Sequence, residues 1–559
     1  MYCNKDNVNQ LTALLVAHGI KHAVVCPGSR NGAIVHNLNA CPAITCHAVT
    51  DERSAAFYAL GLAQATQAPV AVCVTSGTAL LNTAPAVAEA TYQHHGIVVI
   101  SADRPSAWIG QLDGQTMPQP GALGSFVARC VTLPEPHDDV TRWECNRLVN
   151  EALITAWRQQ RPSVHINVPL SEPLFEFTTP ELPSERTITC IESHSASCSA
   201  MASDYARACK PMIVLGQIDG HCDWLQESIA HIARQAVVLS EPLSPTGQPS
   251  HCDEVLHAVG RDEAYMPDFV LYAGGTIVSK RLKKFLRLAS DAAMWELGES
   301  VHDTFMHLKG VVDCDLATAL RQLHDARQAR QSAGENEAYV ARWRQALDVA
   351  RNHAVTFKPR YSQLRAVQLL ERAIDIDTQG RWHCHYANST AVRLAGIYAR
   401  HYVWCNRGIN GIDGCTSTAA GYAAGTAQRV MLVTGDLSFF YDQNALWNQD
   451  LRGNLRIMLL NNGMGGIFNQ LKGLDKSPAC DTMIAGSHHT SAQGLCQACD
   501  VHYLAARDEQ QLEAGIARLT APASDRPIVL EVFTRPDTDA EEYRRYYRSL
   551  HIGGSGDND

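Results

Sequence analysis

Apolar residues in this chain fall into short continuous runs, separated by longer stretches in which they recur at helical spacing. The runs at 22–26, 70–74 and 97–101 predict buried strands, and 52–67 and 78–93 between them predict helices. Strands with no polar face must be covered on both sides, so this alternation predicts a parallel sheet sandwiched between helices. A run at 163–168 predicts a closing strand, and the Pro- and Glu-rich stretch 169–185 predicts a linker. The rhythm restarts at 212–216, with further strands at 236–240, 269–273 and 293–297. Residues 317–352, charged and Ala-rich, predict a surface helix between units. A third run begins near Tyr361 with a helix to about residue 373. Strands follow at 381–386, 430–434, 455–460 and 528–533. The pattern predicts an α/β protein of three doubly wound parallel-sheet domains over 1–180, 190–345 and 356–550, with a flexible Gly/Ser/Asp tail at 551–559.

Composition agrees. A chain of 559 residues holds about three to five domains of ordinary size. Hydrophobic residues are 46% and charged residues 19%, which excludes a disordered chain. With 47 Lys plus Arg against 57 Asp plus Glu, the net charge of −10 excludes a nucleic-acid binder held by bulk electrostatics, while leaving room for a local basic site. The start carries no basic segment followed by an apolar one, and no run of about 20 apolar residues occurs, so a cytoplasmic protein without a membrane span is expected. Nineteen cysteines, scattered from Cys3 to Cys499, read as reduced thiols serving as small core residues. Cys496 and Cys499 form the one close pair, with His502, His488 and His489 near in sequence. Without a second such pair, a helix lined by buried Cys is the better account than zinc.

Two segments carry legible chemistry. Gly435-Asp436-Leu437-Ser438 follows one predicted strand, and Asn461-Asn462-Gly463-Met464-Gly465-Gly466-Ile467-Phe468 follows the next. Ligands of α/β sheets bind at the carboxyl ends of strands, where both segments lie. A carboxylate, an amide oxygen and a main-chain carbonyl are hard donors of the kind Mg²⁺ takes, with phosphate oxygens completing the shell. Glycines let the backbone approach phosphates, and Ser438 stands at a helix start suited to them. No Walker A sequence, nucleophile elbow or Ser–His–Asp set competes. The Gly-Asp pair with Asn-Asn 25 residues after the Asp resembles the thiamine diphosphate fingerprint. That cofactor needs a carboxylate against its pyrimidine nitrogen, and Glu52, in Thr50-Asp51-Glu52-Arg53-Ser54, occupies the fitting place in the first domain. Acids also favour a first helical turn for the helix dipole alone.

Further segments, in order along most of the chain, resemble the 2-succinyl-5-enolpyruvyl-6-hydroxy-3-cyclohexene-1-carboxylate synthase family of menaquinone biosynthesis. They include Pro27-Gly28-Ser29-Arg30, Thr75-Ser76-Gly77-Thr78-Ala79, Ala102-Asp103-Arg104-Pro105 and Leu243-Ser244-Pro245-Thr246-Gly247-Gln248-Pro249. Ser279-Lys280-Arg281-Leu282, Asn388-Ser389, Asn406-Arg407-Gly408 and Gly411-Ile412-Asp413-Gly414 follow. The resemblance implies decarboxylation of 2-oxoglutarate on thiamine diphosphate and conjugate addition to isochorismate. It further implies Mg²⁺ (or Mn²⁺) on Asp436, Asn462 and the carbonyl of Met464. Cofactor contacts would come from Glu52, Ser76, Gly77, Ile412 as an apolar wedge, Gly435, Ser438, Ile467 and Phe468. Substrate would meet Ser29, Arg30, Arg104, Gln115, Lys280, Arg281, Ser389, Arg393 and Arg407, with Leu471 as a further apolar wall. Glu52, Arg104, Gln115, Arg393 and Arg407 would be the catalytic set. In that superfamily the Glu and the metal-binding Asp meet across a subunit interface, so a homodimer or a tetramer of dimers is implied.

Two dicarboxylate substrates call for cations, and arginine's planar fork suits them; six of the implied positions are basic. The sequence departs from the family at Asn31-Gly32-Ala33, at Gly463-Met464 in the metal loop and at Gly114. His94-His95, which resembles the proton-donating pair of some relatives, reads better as a helix end using the dipole. Trp404 and Trp447 read as packing residues. Another thiamine diphosphate carboligase, or a catalytically silent regulatory protein of the same fold, are the alternatives.

Overall fold

The computed structural model describes residues 1–190, 198–222, 225–246, 250–328, 334–377, 382–468 and 473–553. Three wholly parallel sheets organise them. The first contains β1 (His22–Val25), β2 (Thr45–Ala48), β3 (Val70–Val74), β4 (Ile97–Asp103), β5 (Arg129–Thr132) and β6 (Val164–Pro169), in the order β2-β1-β3-β4-β6-β5. The second contains β7 (Pro211–Leu215), β8 (Val237–Ser240), β9 (Phe269–Ala273), β10 (Ala293–Leu297) and β11 (Leu308–Val312), in the order β11-β10-β9-β7-β8. The third contains β12 (Trp382–Tyr386), β13 (Val403–Trp404), β14 (Arg429–Gly435), β15 (Leu455–Asn461), β16 (His502–Ala506) and β17 (Ile528–Phe533). Its order, β13-β12-β14-β15-β17-β16, repeats the connectivity of the first sheet strand for strand.

Every strand expected from an apolar run is present, and those at 70–74, 269–273, 293–297 and 528–533 have the expected limits. The expected strand at 381–386 starts at Trp382, since residue 381 lies outside the described residues. The helix expected at 78–93 is two, Thr78–Asn82 and Ala84–Tyr92, with Pro85 at the start of the second.

Two expectations need correction. Residues 317–352 do not form one surface helix. Leu316–Gln328 buries Ala319, Leu320 and Leu323 on one face of the second sheet, and Gly334–Thr356 buries Tyr339, Trp343, Ala346 and Ala350 on the other. Small Ala and widely spaced aromatics make the buried stripe, so charge on the outer face dominates the composition. The stretch 169–185 is not a free linker. Leu170 and Leu174 are buried in the first core, and Tyr2 and Thr179 exchange two backbone hydrogen bonds. Of the expected tail, Ile552 packs into the core of the second sheet, and 554–559 lie outside the described residues.

The first and third units touch through two helices, Glu52–Thr66 and Cys415–Ala424. A Cβ on Gly61 would lie 1.9 Å from the Thr418 carbonyl oxygen, and one on Gly421 1.9 Å from that of Tyr58. The two backbones meet directly because glycine stands at both crossing points.

Candidate active site

In each sheet the chain reverses its winding direction between two neighbouring strands, and loops leaving them part to open a crevice at the carboxyl edge. In the third sheet this point lies between β12 and β14. Asn388 and Ser389 follow β12, and Asp436 follows β14. In the first it lies between β1 and β3, placing Ser29 with Arg30 beside Ser76 with Gly77.

Asp436 is buried at the head of the helix Asp436–Tyr441. Its Oδ1 accepts from Leu437 N at 2.7 Å, and its Oδ2 accepts from Asn462 N at 3.2 Å and Gly463 N at 2.8 Å. Burial raises its pKa. Among the described residues the one basic group beside it is His488, 3.5 Å away, whose buried Nε2 makes no hydrogen bond. A buried carboxylate with neither Lys nor Arg against it is a hole for a cation. The donor set fits a hard one: Asp436, the Asn462 amide oxygen and the Met464 carbonyl. The loop path is set by Gly463, at φ +77°, whose carbonyl accepts from His488 N at 2.8 Å. Asn461 does not face the site. Its Nδ2 donates to Glu531 at 2.7 Å and to the Thr490 carbonyl at 2.9 Å, anchoring the loop to the sheet. Gly435 leaves open space where a Cβ would stand, and Ser438 Oγ donates to the Ile412 carbonyl at 2.6 Å. Ile412 is partly exposed, while Ile467 and Phe468 are half-buried; Leu471 lies outside the described residues.

The expected cations divide into two groups. Arg30 donates to the Leu170 carbonyl and pairs with Glu172, Arg104 pairs with Asp113 at 2.6 Å, and Arg281 pairs with Asp253 beneath the Tyr547 ring. Lys280 is exposed. Arg407, by contrast, is buried and donates only to neutral oxygens, Asn388 Oδ1 at 3.1 Å and the Ile277 carbonyl at 3.3 Å; its Nε has no partner. Arg393 donates to the Ser389 carbonyl. Burial pulls its pKa down, with Tyr543 opposing and Arg407 adding to the effect. Two neighbouring guanidiniums, one buried and one half-buried, with no carboxylate bonded to either among the described residues, call for an anion. Ser389, at φ +71° and ψ −123°, holds a conformation that costs a non-glycine residue about 1–3 kcal/mol, just ahead of the helix Thr390–Tyr398 that carries Arg393. One chain of bonds joins the two holes. Arg407 reaches Asn388, Asn388 Nδ2 donates to the Gly411 carbonyl at 2.6 Å, and the next residue, Ile412, accepts from Ser438.

In the first unit, Gln115 Nε2 donates to the Ser76 carbonyl, and Ser76 Oγ to the Gln115 carbonyl, both at 3.0 Å. Gly77, at φ +82°, donates to Gln119 at 2.7 Å. Glu52 opens its helix, but the cap is Asp51, which accepts from Arg53 N and Ser54 N. The neighbours of Glu52 are tied to the third unit: Asp51 accepts from Asn444, Arg53 donates to the Tyr441 carbonyl, and Ser54 meets Ser417. Glu52 itself receives only Asn82 Nδ2, at 3.5 Å, and no hydrogen bond or ion pair among the described residues joins it to Asp436, Asn462 or Met464.

Residues 6–122 match the family model described as thiamine pyrophosphate enzyme, N-terminal TPP binding domain. Over 98% of its length the chain is 41% identical to the whole 2-succinyl-5-enolpyruvyl-6-hydroxy-3-cyclohexene-1-carboxylate synthase of Bacteroides thetaiotaomicron. It is 40% identical, again over 98% of the chain and all of the relative, to that of Bacteroides fragilis. It is 36% identical to that of Desulfotalea psychrophila, over 95% of the chain and 99% of the relative. The chain belongs to this synthase family.

Sequence reasoning missed several residues that shape the site of this family member. Lys283, half-buried on the helix Lys280–Leu288, has its pKa lowered by burial and by the neighbouring Arg407. Glu241 accepts from Val278 N and Ser279 N and so fixes the start of that helix. Glu89 accepts from Gly408 N at 2.7 Å and Ile409 N at 2.6 Å, clamping the loop that leads to Ile412. Each is a lone acid or base in an ordinary helix or loop, without a motif to announce it.

The departure at Asn31 has a structural account, since its Nδ2 donates to the Cys26 carbonyl at 2.8 Å inside the Pro-Gly-Ser-Arg turn. Cys496 is buried on the helix Gln493–Ala498, and among the described residues no cluster of His, Cys, Asp and Glu could hold a metal by itself. His95 is not a charged helix end. Burial lowers its pKa to about 4, and it packs beside Trp404. Trp404 is core, whereas Trp447 is exposed and does not pack as expected.

Asp442 lies under the contact between the first and third units, accepting from Ser417 N at 2.7 Å and Ser417 Oγ at 2.8 Å. Burial pushes its pKa up to about 7, against about 3.9 in an unfolded chain. The folded state therefore binds the proton more tightly. The stability this supplies is complete below about pH 4 and is lost as pH rises through about 7. Asp442→Asn is expected to melt above the parent protein at pH 8, by much less at pH 5, and level with it near pH 4. Thermal melts across that range check this, and a gap independent of pH would contradict it.

Proposed function

We propose that this protein is a cytoplasmic thiamine diphosphate- and Mg²⁺-dependent transferase. It takes CO₂ from 2-oxoglutarate and joins the remaining acyl carbon to isochorismate, giving 2-succinyl-5-enolpyruvyl-6-hydroxy-3-cyclohexene-1-carboxylate for menaquinone synthesis. Bound thiamine diphosphate supplies the electron sink for decarboxylation and carbon–carbon bond formation. The observation that carries the proposal is the pairing, among the described residues, of two unmet charges at one crevice: buried Asp436 without Lys or Arg, and half-buried Arg393 with buried Arg407 without a carboxylate bonded to them.

Asp436, Asn462 and the Met464 carbonyl would hold Mg²⁺, with Ser438 beside the diphosphate. Arg393 and Arg407, with Ser389, bind substrate carboxylate. Arg104 and Gln115, on the rim of the Ser76–Gly77 turn, bind the second substrate, and Ser29, Arg30, Lys280 and Arg281 complete the basic surround. Ile467, Phe468 and Leu471 wall off water. Glu52 holds a proton at the cofactor's pyrimidine nitrogen.

Among the described residues Glu52 makes no bond to its own chain's metal loop. Ile412, Tyr441, Trp447, Leu81 and Tyr92 leave apolar surface exposed on the first and third units. These features support a homodimer, alone or paired into a tetramer, in which Glu52 of one copy serves the metal loop of the other. Among the described residues no helix is long and apolar enough to cross a membrane.

The test follows isochorismate loss with thiamine diphosphate and Mg²⁺, with and without 2-oxoglutarate. Loss that requires 2-oxoglutarate is expected. No loss from folded, cofactor-loaded protein would reject the substrate pair.

A further inference from the structure

The Asn462 side chain can turn either of two chemically different ends toward a metal. Its amide oxygen ligates; its NH₂ group does not. Burial alone cannot choose between them, because the two ends have nearly the same shape. The structure shows what makes the choice. Asn462 Nδ2 donates to Asp539 Oδ2 at 3.1 Å, and that same oxygen accepts from Thr534 Oγ1 at 2.8 Å. The other oxygen, Oδ1, accepts from Gln363 N at 2.8 Å. A carboxylate so engaged has only acceptors to offer, so it takes the NH₂ end and turns the amide oxygen to the opposite side. There it faces the turn, 3.4 Å from Met464 N. Asn462's own backbone N–H is meanwhile held by Asp436. Both the main chain and the side chain of Asn462 are thus oriented by carboxylates from different elements, Asp436 after β14 and Asp539 in the first turn of the helix Pro536–Arg548.

We propose that Asp539 is a positioning residue for the metal site: it fixes the amide of Asn462 with the oxygen toward the cation. The inference rests on the metal-dependent cofactor site proposed above. It assigns a task at the metal loop to the C-terminal helix, whose Tyr543 and Tyr547 already lie beside Arg393 and Arg281. Partners that orient a ligand from behind are typically worth about 10–100-fold in metal affinity.

The test titrates Mg²⁺ into wild-type, Asp539→Ala and Asp539→Asn protein at fixed thiamine diphosphate. Cofactor binding is read from intrinsic tryptophan fluorescence, with thermal melts of the ligand-free proteins alongside. For Asp539→Ala, the Mg²⁺ concentration giving half-maximal binding is expected to rise about 10–100-fold. The affinity for thiamine diphosphate at saturating Mg²⁺ should stay unchanged. Asp539→Asn keeps the shape and one accepting oxygen, and is expected to rise about tenfold; it decides the matter if the alanine variant does not fold. Unchanged Mg²⁺ dependence with lowered melting would show that Asp539 only tethers the helices at Gln363 and Thr534, and would overturn the inference. Wild-type protein that binds no thiamine diphosphate at any Mg²⁺ concentration would instead overturn the metal site itself, and the inference with it.

Discussion

Glu52→Gln is expected to slow turnover by about 10²–10⁴-fold, the usual worth of a positioned proton-transfer group, with little change in folding or in cofactor affinity. The prediction rests on what Glu52 does not do. It does not cap its helix, because Asp51 accepts the first backbone N–H groups. Nor does it tie the first unit to the third; Asp51, Arg53 and Ser54 do that. Its one side-chain hydrogen bond among the described residues, to Asn82, is long and exposed, and Gln can keep it. A half-buried carboxylate with no structural duty, at the head of a helix at a crevice, is free to serve a ligand. Initial rates of isochorismate loss, measured beside a thiamine diphosphate binding curve, check the prediction. A variant with parental rate would remove Glu52 from the chemistry, and one that fails to bind cofactor would make it a binding residue. Asp51→Ala is the structural control. It is expected to lose about 1 kcal/mol of stability with the cap.

Much of the architecture was legible because buried parallel strands write themselves as continuous apolar runs. The five strands that escaped notice, β2, β5, β11, β13 and β16, all lie at sheet edges. Four of them show exposed or half-buried positions where the central strands are solidly buried: β2 along Thr45–Ala48, β5 along Arg129–Thr132, β11 along Leu308–Val312 and β16 along His502–Ala506. β13 is only two residues long. An edge strand lacks one neighbour and often one cover, so its residues need not be apolar. The site divides in the same way. Asp436, Asn462 and the Gly-rich turns were legible because backbone geometry and metal chemistry demand those residue types. Which arginines are free could not be read, since Arg104 and Arg407 look alike in sequence. Only the fold shows Asp113 bonded to the first and no carboxylate bonded to the second. Asp539 and Glu89 were illegible for a related reason: they act through the groups they hold, across 77 and about 320 positions of chain.

Asp436→Asn is expected to abolish Mg²⁺-dependent binding of thiamine diphosphate and, with it, activity. It keeps one oxygen, enough for either the Leu437 N–H or the Asn462 and Gly463 N–H groups, and sets an NH₂ against the other. It removes a buried charge that burial already disfavours and that only His488 approaches. The lost acceptor and the removed charge oppose each other, so the ligand-free variant should melt close to the parent at neutral pH. Ligand separates the two proteins. A cofactor at one hundred times its Kd adds about 2.7 kcal/mol to the parent protein and nothing to a variant that cannot hold the metal. Melting curves of the two proteins should lie close together without thiamine diphosphate and Mg²⁺ and separate with them. A parental ligand-induced shift in the variant would place the metal elsewhere. The same variant tests how the site is shared. Asp436→Asn and Glu52→Gln chains are each expected to be inactive alone. If each site takes Glu52 from one copy and Asp436 from the other, a mixed dimer has one site carrying both defects and one carrying neither. Mixing the two proteins after dissociation should then restore activity toward about one quarter of the parental value, half of one site in two for randomly assorted dimers. If both residues of a site came from one chain, every site would carry a defect and mixing would restore nothing.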